Sequence, residues 1–318
     1  MIKPNSIILG DCLEVMKNIP DKSIDLVLTD PPYFKAIKEK WDNCWKDEND
    51  YLKWCEKWFS EIVRVLKDKG SFYCFGNFDI LTKQKINIFD KKMFFRQNIT
   101  LNKGIKSIAG RTSEALRMFP TASEHCLFYV FQDGNFLKDN IIKNINPFSK
   151  YLKEEFKNAN VSIREISKLF PSKTGNVTGC VSNWINGENV ITKDQYLKIR
   201  NYLNNKFLRK EYKELRKEYE ELRFTFNLPF GYTDVWDFCV DKNRFDHPTQ
   251  KPISIIKRII SASSNKNDLI LDPFAGSGTT AIACHDLDRK FICIEKEPKY
   301  HEIATQRYNQ HIAQQRLF

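Results

Sequence analysis

The sequence predicts an α/β protein with a doubly wound, mostly parallel sheet, and three observations carry that prediction. An apolar run at 268–271, a glycine-containing loop and a helical pattern at 279–287 lead into a second apolar run at 291–294. This strand–loop–helix–strand unit is a building block of parallel sheets. The amino-terminal part repeats the order, with strand patterns at 7–9 and 23–29 on either side of a short helix. The length of 318 residues accommodates one large domain with an insertion.

The composition favours a polyanionic partner and disfavours several other classes of protein. The net charge is +11 and the pI is ≈ 9.1. The nine cysteines form no C-x-x-C pair and no Cys/His ligand spacing, so we expect no disulfide, no metal site and a reducing cytoplasm. No apolar run approaches the roughly 20 residues that span a bilayer, and residues 1–5 do not begin a signal peptide. We therefore expect no membrane role.

The glycine loop at 271–280, Leu-Asp-Pro-Phe-Ala-Gly-Ser-Gly-Thr-Thr, is the strongest candidate for a ligand site. Gly276 and Gly278 let the backbone pass close to a ligand, and the N–H groups of the helix start face it. Glu295 ends the following strand, where an acid accepts ribose hydroxyls. Asp272 stands where a pyrophosphate would lie, which favours a cationic ligand. We predict S-adenosylmethionine; the alternative is an ordinary tight turn.

A second candidate site is Asp30-Pro31-Pro32-Tyr33, directly after the strand pattern at 23–29. The two prolines force the chain to leave the sheet in a stiff, extended form. A carboxylate and the Pro31 carbonyl can then accept hydrogen bonds from one exocyclic amine, while the tyrosine ring stacks on the base that carries it. The alternative is a stiff loop with a solvent-facing aspartate and a tyrosine in the core.

Two further segments are candidates for contact with DNA, and each also has a purely structural explanation. The polar flap at 34–50 holds Trp41 and Trp45, which either close over the active site or anchor the loop to the core. The stretch at 82–119 carries nine Lys and Arg against two acids, which suits a DNA backbone but also suits a solvated face. The basic residues assigned to DNA contact there are Lys103, Lys106, Arg111 and Arg117.

The middle of the chain, 140–225, is rich in Lys, Asn and Glu and is predicted to be mainly helical. Helical patterns at 162–170, 181–187 and 193–203 resemble a helix-turn-helix module. An apolar seam at 208–222 is predicted to pack within its own domain, because two heptads are too few to indicate a coiled coil. The polar side chains assigned to base or phosphate contact are Ser182 and Asn183.

The stretch at 247–252, His-Pro-Thr-Gln-Lys-Pro, opens the helix predicted at 253–262. Pro252 suits a first helical turn, and Thr249 or Gln250 can cap it. The same residues come just ahead of the glycine loop in sequence, so they are also candidates for lining its pocket.

These motifs, in this order, resemble the β-class of DNA amino-methyltransferases, the circularly permuted group found in restriction–modification systems. The resemblance covers 5–135 and 226–310, whereas 140–225 matches only by position. The motifs that carry it are Asp30-Pro31-Pro32-Tyr33, His247-Pro248-Thr249-Gln250-Lys251-Pro252 and the glycine loop, with support from Gly10-Asp11-Cys12 and Lys40-Trp41-Asp42.

The resemblance implies a role for each motif residue. Asp30 and the Pro31 carbonyl would hold the target amine, and Tyr33 would stack on the flipped base. Asp272 would lie near the cofactor ammonium, and Glu295 would bind its ribose. The full set implied at the cofactor is Asp11 and Cys12 at the adenine edge, Thr249, Gln250 and Lys251 at the methionine end, and Asp30, His247, Asp272, Phe274, Gly276, Ser277, Gly278, Thr279 and Glu295.

The resemblance also implies an architecture and partners. The family fold is a Rossmann-like sheet of seven strands with helices on both faces. We expect a catalytic domain in two parts, 1–139 and 226–318, separated by a target-recognition insertion at 140–225. Duplex DNA is the expected substrate in a bacterial, archaeal or phage-encoded system. Members of that family often dimerise and often act beside a separate restriction endonuclease, and nothing in this sequence decides either.

The predicted activity is transfer of a methyl group to the N6 amine of adenine. Cytosine N4 is the first alternative, because both bases carry an exocyclic amine. Asp30 favours adenine, since in that family Asp at this position usually accompanies adenine and Ser usually accompanies cytosine. No cysteine lies beside Pro31 and Pro32, so we expect direct transfer without a covalent adduct. A non-enzymatic helix-turn-helix regulator would leave both motifs without a role. Methylation of RNA, protein or a small molecule is the remaining alternative.

Overall fold

The computed structural model describes residues 2–36, 38–104, 117, 119–131, 146–221, 224–227, 231–237 and 250–315. It divides the chain into two compact units. The first unit joins Met1–Phe131 to Phe224–Phe318, and the second is Gln132–Arg223.

The first unit is built on a single sheet, which has eight strands over the described residues. The strands are Ser6–Leu9 (β1), Ile24–Thr29 (β2), Leu66–Gly76 (β3), Phe94–Asn102 (β4), Ser123–Val130 (β5), Val235–Asp237 (β6), Leu269–Asp272 (β7) and Lys290–Glu295 (β8). Their order in the sheet is β1-β8-β7-β2-β3-β5-β4-β6. Only β5 pairs antiparallel, with β3 and β4; the other described pairings are parallel.

This topology confirms the predicted α/β class with its mostly parallel sheet, but the predicted number of seven strands is wrong. The eighth strand is the short β6, which pairs with the edge of β4 through Val235 and Thr100. Three residues with alternating exposure give little apolar signal in a sequence.

Helices cover both faces of the sheet, as a doubly wound fold requires. They are Cys12–Met16 (α1), Glu48–Val65 (α2) and Phe78–Asn87 (α3), followed after the second unit by Ile253–Ser263, Thr279–Asp286 and Pro298–Gln315. Alternation along β2 feeds two cores: Val27 packs with Trp58 of α2, whereas Leu26 packs with Ile259 of the Ile253–Ser263 helix. Each buried aliphatic side chain of this kind contributes roughly 1.5–3 kcal/mol.

The amphipathic pattern at 51–66 followed by Gly70 predicts a helix that this glycine caps, but the junction of α2 and β3 differs from that expectation. The helix ends at Val65, and Leu66 enters the strand at once. Gly70 lies inside β3 without a left-handed φ, and a Cβ there would approach Leu66 Cδ1 to 2.5 Å. Its lack of a side chain therefore serves packing within the strand rather than helix termination.

The second unit is helical over its described residues. Its helices are Pro147–Asn158 (α4), Ile163–Ser167 (α5), Cys180–Ile185 (α6), Lys193–Tyr202 (α7) and Tyr212–Glu221 (α8). The last three helices of the first unit are accordingly numbered α9 (Ile253–Ser263), α10 (Thr279–Asp286) and α11 (Pro298–Gln315). Capping boxes start α5 at Ser162 and α7 at Thr192. Trp184 of α6 and Leu215 of α8 are buried in its core, so the predicted apolar seam packs within this unit.

The helix-turn-helix expectation needs a correction in this unit. All three predicted helices form, but the connection from α5 to α6 runs over 168–179 and holds an isolated bridge between Pro171 and Val177. A helix-turn-helix joins its helices by three or four residues.

Within the described ranges of the chain, none of the helices combines the length and apolar character that crossing a bilayer requires.

Candidate active site

The carboxyl ends of β2, β7 and β8 surround a cavity of about 1350 Å³, where open α/β sheets hold their ligands. Most of the predicted site residues lie on its wall. They are Asp11, Cys12, Asp30, Pro31, Pro32, Tyr33, Trp41, Lys103, Gln250, Lys251, Asp272, Phe274, Gly276, Ser277, Thr279 and Glu295. The structure thus brings the three motifs of the sequence to one place.

The other predicted site residues lie elsewhere. Arg117 is exposed, and Ser182 and Asn183 are half-buried on α6 of the second unit. His247, Thr249, Lys106 and Arg111 lie outside the described residues. Gly278 belongs to the glycine loop but does not line the cavity.

Gly278 has a packing role that the sequence analysis did not predict. It precedes α10 with φ 77°, and a Cβ on it would lie 2.8 Å from the Cβ of Ala304 on α11. The residue therefore permits close packing of α11 against the loop, rather than close approach of the loop to a ligand. Gly276, with φ 52°, does line the cavity.

The Glu295 carboxylate, at the end of β8, is oriented by main-chain donors. Gly276 N donates to Oε2 and Glu297 N to Oε1, each at 2.8 Å. Burial raises the pKa of Glu295, and the two amides oppose that shift. Each oxygen keeps a second lone pair for a ligand hydroxyl.

Asp272 occupies the corresponding place at the end of β7. Phe274 N donates to Oδ1 at 3.1 Å and the Thr280 hydroxyl to Oδ2 at 2.6 Å. Burial raises the pKa of Asp272 to about 7, so this carboxyl changes its charge near neutral pH. Thr280 lines the cavity and was missed by the sequence reasoning, although it is part of the loop motif.

The turn from Asp30 to Tyr33 is fixed by side chains from the flap and from α2. Tyr51 donates its hydroxyl to the Pro32 carbonyl at 2.7 Å, and Tyr33 N donates to the buried Asp42 carboxylate at 2.9 Å. Phe34 follows with φ 62°, a conformation that costs free energy in a residue with a side chain. The described structure gives no hydrogen bond to the Pro31 carbonyl, so that acceptor is available.

Asp30 itself lies in a network of charged groups. Lys251 Nζ lies 2.7 Å from Asp30 Oδ2, 2.9 Å from Tyr33 Oη and 3.3 Å from Glu124 Oε2. The Tyr33 hydroxyl donates to Asp30 Oδ1, and Lys103 pairs with Glu124 Oε1. Burial raises the pKa of Asp30, and the Lys251 ammonium opposes that shift.

Two predicted assignments change here. Lys251 was expected at the methionine end of the cofactor, but its ammonium lies against Asp30. Lys103 was expected at the DNA backbone, but it is paired with Glu124 on the cavity wall. The sequence analysis did not identify Glu124 as a site residue, because it stands near the start of an apolar strand pattern. A charged residue in such a pattern was the signal that could have identified it.

The basic stretch is partly neutralised within the first unit. Lys83 pairs with Glu48 and Asp79 at 2.6 and 2.9 Å, and Lys85 pairs with Asp90 at 2.6 Å. These lysines are less available for phosphate contact than their number in the sequence implies.

The flap tryptophans have different surroundings. Trp45 is 9% exposed and packs edge-on against Tyr51 at a centroid distance of 4.9 Å, so it anchors the flap to the core. Trp41, in a 3₁₀ turn at Lys40–Asp42, lines the cavity.

The residues at the adenine end predicted for the cofactor are already constrained by local contacts. Asp11 caps α1 by accepting from Leu13 N at 2.9 Å, and it pairs with Lys296 at 3.0 Å. Cys12 is buried, and burial raises the pKa of its thiol to about 12. This thiol therefore stays protonated near neutral pH.

Three buried oxygens on the wall test whether the cavity fits a polar ligand. Thr29 Oγ1, Gln250 Oε1 and Thr279 Oγ1 have no hydrogen-bond partner among the described residues. Buried oxygens are seldom left unsatisfied, so they indicate where a ligand would bond. Gln250 does not cap α9, whose N-cap is Pro252 without a side-chain bond.

One group of side chains outside the cavity has the composition of a metal site. Within the described residues, possible ligand atoms of His285, Asp286 and His311 lie within 4.8 Å of one another. The Asp286 carboxylate is also bonded to His311 and to Lys257, so an internal ion-pair network accounts for the group.

A family model described as DNA methylase, the N6/N4 methyltransferase model, matches residues 24–306, which is most of the chain. The chain belongs to this family. Membership confirms the resemblance found in the sequence and the predicted activity, a DNA methyltransferase that uses S-adenosylmethionine.

Curated relatives are similar over nearly the whole chain. Type II methyltransferase M.HinfI of Haemophilus influenzae is 28% identical over 95% of this chain and 68% of its own length. Type II methyltransferase M.HpaI of Haemophilus parainfluenzae is 28% identical over 95% and 73%. Type II methyltransferase M2.MboI of Moraxella bovis is 26% identical over 95% and 86%.

Solved structures with the same fold include a putative DNA modification methylase of Thermus thermophilus, TTHA0409, solved with S-adenosyl-L-methionine. It has a TM-score of 0.53 at 17% identity, covering 96% of this chain and 95% of its own. The cytosine-N4-specific PvuII DNA methyltransferase also has a TM-score of 0.53, at 15% identity, covering 96% and 89%. At these identities the likeness concerns the fold alone.

Proposed function

We propose that this methyltransferase modifies the N6 amine of an adenine flipped out of duplex DNA. The observation that carries the proposal is one juxtaposition: the Asp30 carboxylate and the glycine loop line the same cavity. At about 1350 Å³ the cavity exceeds the roughly 300–1,000 Å³ of a typical small-molecule pocket. It has room for a cofactor and a base together.

Asp30 and the Pro31 carbonyl are the proposed acceptors for the two N–H groups of the target amine. Accepting both hydrogens withdraws the nitrogen lone pair from conjugation with the ring and directs it towards a methyl group. In that reaction the nitrogen would form a bond to the methyl carbon, and the bond from that carbon to the cofactor sulfur would break with its electron pair left on sulfur. The nitrogen would also lose one proton, which Asp30 is placed to accept. Tyr33, at the same wall, is the proposed stacking partner of the base.

The glycine loop and the strand ends would hold S-adenosylmethionine, which supplies a methyl group on a positively charged sulfur. Glu295 would accept its ribose hydroxyls and Asp272 would face its ammonium. The unpartnered Thr279 hydroxyl supports a polar ligand at this wall. The buried, protonated Cys12 would offer the cofactor a neutral surface.

Adenine is proposed over cytosine because the motif begins with a full carboxylate, Asp30, and family members with Asp there usually act on adenine. The test is nucleoside mass spectrometry of plasmid DNA incubated with the protein and methyl-labelled S-adenosylmethionine. We expect labelled N6-methyladenine. Labelled N4-methylcytosine without N6-methyladenine would reverse the base assignment and leave the fold and cofactor unaffected.

The second unit is the proposed target-recognition region, corresponding to the predicted insertion at 140–225. Ser182 and Asn183 on α6 are half-buried polar side chains, available in part for contact with bases or phosphates. Replacing 145–222 by a short Gly/Ser joint should preserve cofactor binding and remove sequence preference. Retained site selectivity would place recognition elsewhere.

The setting proposed is a cytoplasmic restriction–modification system, supported by the Type II methyltransferases among the relatives. DNA from cells that express the protein should resist a restriction endonuclease that cuts the same site only in its unmethylated form. Single-molecule sequencing of that DNA would first identify the site. A homodimer is proposed only by analogy with the family, and sedimentation of the purified protein decides it.

A further inference from the structure

Four charged side chains from four separate segments meet at the Asp30 end of the cavity. Asp30 follows β2, Lys251 precedes α9, Glu124 lies in β5 and Lys103 follows β4. Lys251 Nζ bridges the two acids, at 2.7 Å from Asp30 Oδ2 and 3.3 Å from Glu124 Oε2. Lys103 pairs with the other oxygen of Glu124. Two anions and two cations therefore balance in a largely buried place.

Stability alone is a weak explanation for such a group. Buried ion pairs are often no more stabilising than apolar side chains of the same size, because removing charges from water is costly. Lys251 is only 7% exposed, so this cost applies to it in full. The location of the pair, against the carboxylate proposed to hold the amine, suggests a role in the reaction.

We propose that Lys251 and Glu124 are positioning residues for Asp30: Lys251 keeps its carboxylate ionised and oriented, and Glu124 offsets the charge of Lys251. The proposal rests on the role of Asp30 given above and extends it to two residues that do not reach the base. It assigns Lys251 to the amine side of the cavity rather than to the cofactor.

The two effects are needed together because the amine becomes positively charged as it is methylated. An ionised Asp30 stabilises that charge, and burial without Lys251 would favour the protonated, neutral acid. An uncompensated ammonium 2.7 Å from Asp30 would instead oppose the developing positive charge. Glu124, which is paired to the same ammonium and also to Lys103, partly offsets the charge that Lys251 places beside the amine.

Other ionisable groups face Asp30, but they are less able to perform this role. Burial raises the pKa of the Tyr33 hydroxyl and of the Cys74 and Cys126 thiols well above their usual values, so all three stay neutral. Asp272 faces Asp30 from β7 as a second acid. Lys103 is held by Glu124. Lys251 is thus the cation in contact with Asp30 among the described residues.

The test compares the pH dependence of kcat/KM in two variants, using methyl-labelled S-adenosylmethionine and unmethylated phage DNA. Activity needs ionised Asp30, so it rises with pH through the pKa of that residue. Lys251→Gln removes the stabilising cation. We therefore expect the acid limb of the pH profile, the range in which kcat/KM rises with pH, to move to higher pH by about one unit or more. Glu124→Gln removes a like charge, and we expect its acid limb to move to lower pH, with a kcat reduced about tenfold or more.

Controls separate this role from a merely structural one. Lys251→Arg and Glu124→Asp keep the charges and should restore the wild-type limb. Lys67→Gln breaks a matched ion pair, Lys67 with Asp25 at 2.7 Å at the other end of β2, and should move no limb. The affinity for S-adenosylmethionine, titrated without DNA, should change by less than tenfold in Lys251→Gln.

Shifts in opposite directions support the proposal. Shifts in the same direction, an unmoved limb in Glu124→Gln, or loss of its activity at every pH would overturn it, because Asp30 should stay ionised in that variant. If Lys251→Gln is inactive throughout, the direction of the Glu124→Gln shift decides. Failure of the underlying function is distinguishable, since an active Asp30→Ala variant would remove the role of Asp30 itself.

Discussion

The two walls of the cavity are organised by different kinds of contact. On the glycine-loop wall, Asp272 and Glu295 are oriented by amide and hydroxyl donors that lie at most 19 positions away in the chain. On the opposite wall, Asp30 is surrounded by side chains from distant parts of the chain; its bond to Lys251 joins residues 221 positions apart. One wall is therefore a local motif, and the other depends on tertiary assembly of charges.

Among the changes that test the difference between the two walls, we expect the largest effect from a substitution at Asp30, on turnover. Asp30→Ala removes the proposed amine acceptor, and we expect methyl transfer to fall by at least about 10²-fold, the lower end for loss of a general acid–base group. Incorporation of labelled methyl groups into DNA measures it. A variant with wild-type turnover would show that the amine is held elsewhere.

The next effect concerns the fold of the glycine-loop wall. Gly278→Val adds a side chain at φ 77°, where its Cβ would lie 2.8 Å from Ala304 Cβ. We expect the free energy of unfolding to fall by at least about 2 kcal/mol, from left-handed strain and overpacking together. Chemical denaturation monitored by circular dichroism checks this.

Gly231→Val is the matched control, because Gly231 has φ 91° and a Cβ there would have no atom of the described residues within 4 Å. It adds strain without the clash and should cost less than Gly278→Val. Equal losses in both variants would mean that the contact with Ala304 has no part in the effect.

These residues also show how far the sequence could predict the site. Asp272, Gly276 and Glu295 lie together on the cavity wall, because their surroundings are set by residues at most 19 positions away in the chain. Their roles towards the cofactor stay predictions. The packing contact of Gly278 was not predicted, because its partner, Ala304, lies on another helix. Lys251 was assigned to the cofactor because the sequence shows only that it precedes a helix start. Its approach to Asp30, 221 positions away, depends on the tertiary fold.

The fold shows the same division. Apolar runs identified the long buried strands and the helices on both faces, since burial on both sides leaves a continuous signal. The helix cap assigned to Gly70 and the strand number failed where packing against distant residues decided the structure. Glu124 carried a signal, an acid at the head of an apolar strand, that acquires meaning only beside Lys103 and Lys251.

A smaller effect tests the charge of Asp272. Its pKa of about 7 means that this buried carboxyl is largely protonated at pH 6 and mostly ionised at pH 7.5. Because a cationic ligand favours the ionised form, affinity for S-adenosylmethionine should rise several-fold over that range. Calorimetric titrations at both pH values measure it, and Asp272→Asn should abolish the rise. Affinity independent of pH in the wild type would place the ammonium away from Asp272.

The smallest expected effect concerns the basic stretch. Lys83 is engaged by Glu48 and Asp79, so Lys83→Gln should change the salt dependence of DNA binding little. Arg117 is exposed, and if it contacts a phosphate, Arg117→Gln should reduce the slope of log affinity against log salt by about 0.9. Equal slopes for the two variants would remove Arg117 from the DNA surface.

The most direct test of the separation between the two walls is cofactor binding by the Asp30→Ala variant. S-adenosylmethionine is titrated calorimetrically into the wild type and the variant in parallel, without DNA. Since Asp272 and Glu295 keep their local contacts, we expect the two dissociation constants to agree within a factor of ten, about 1.4 kcal/mol, although the variant no longer transfers methyl groups. Loss of cofactor binding together with loss of turnover would contradict the account, because Asp30 would then belong to the cofactor wall.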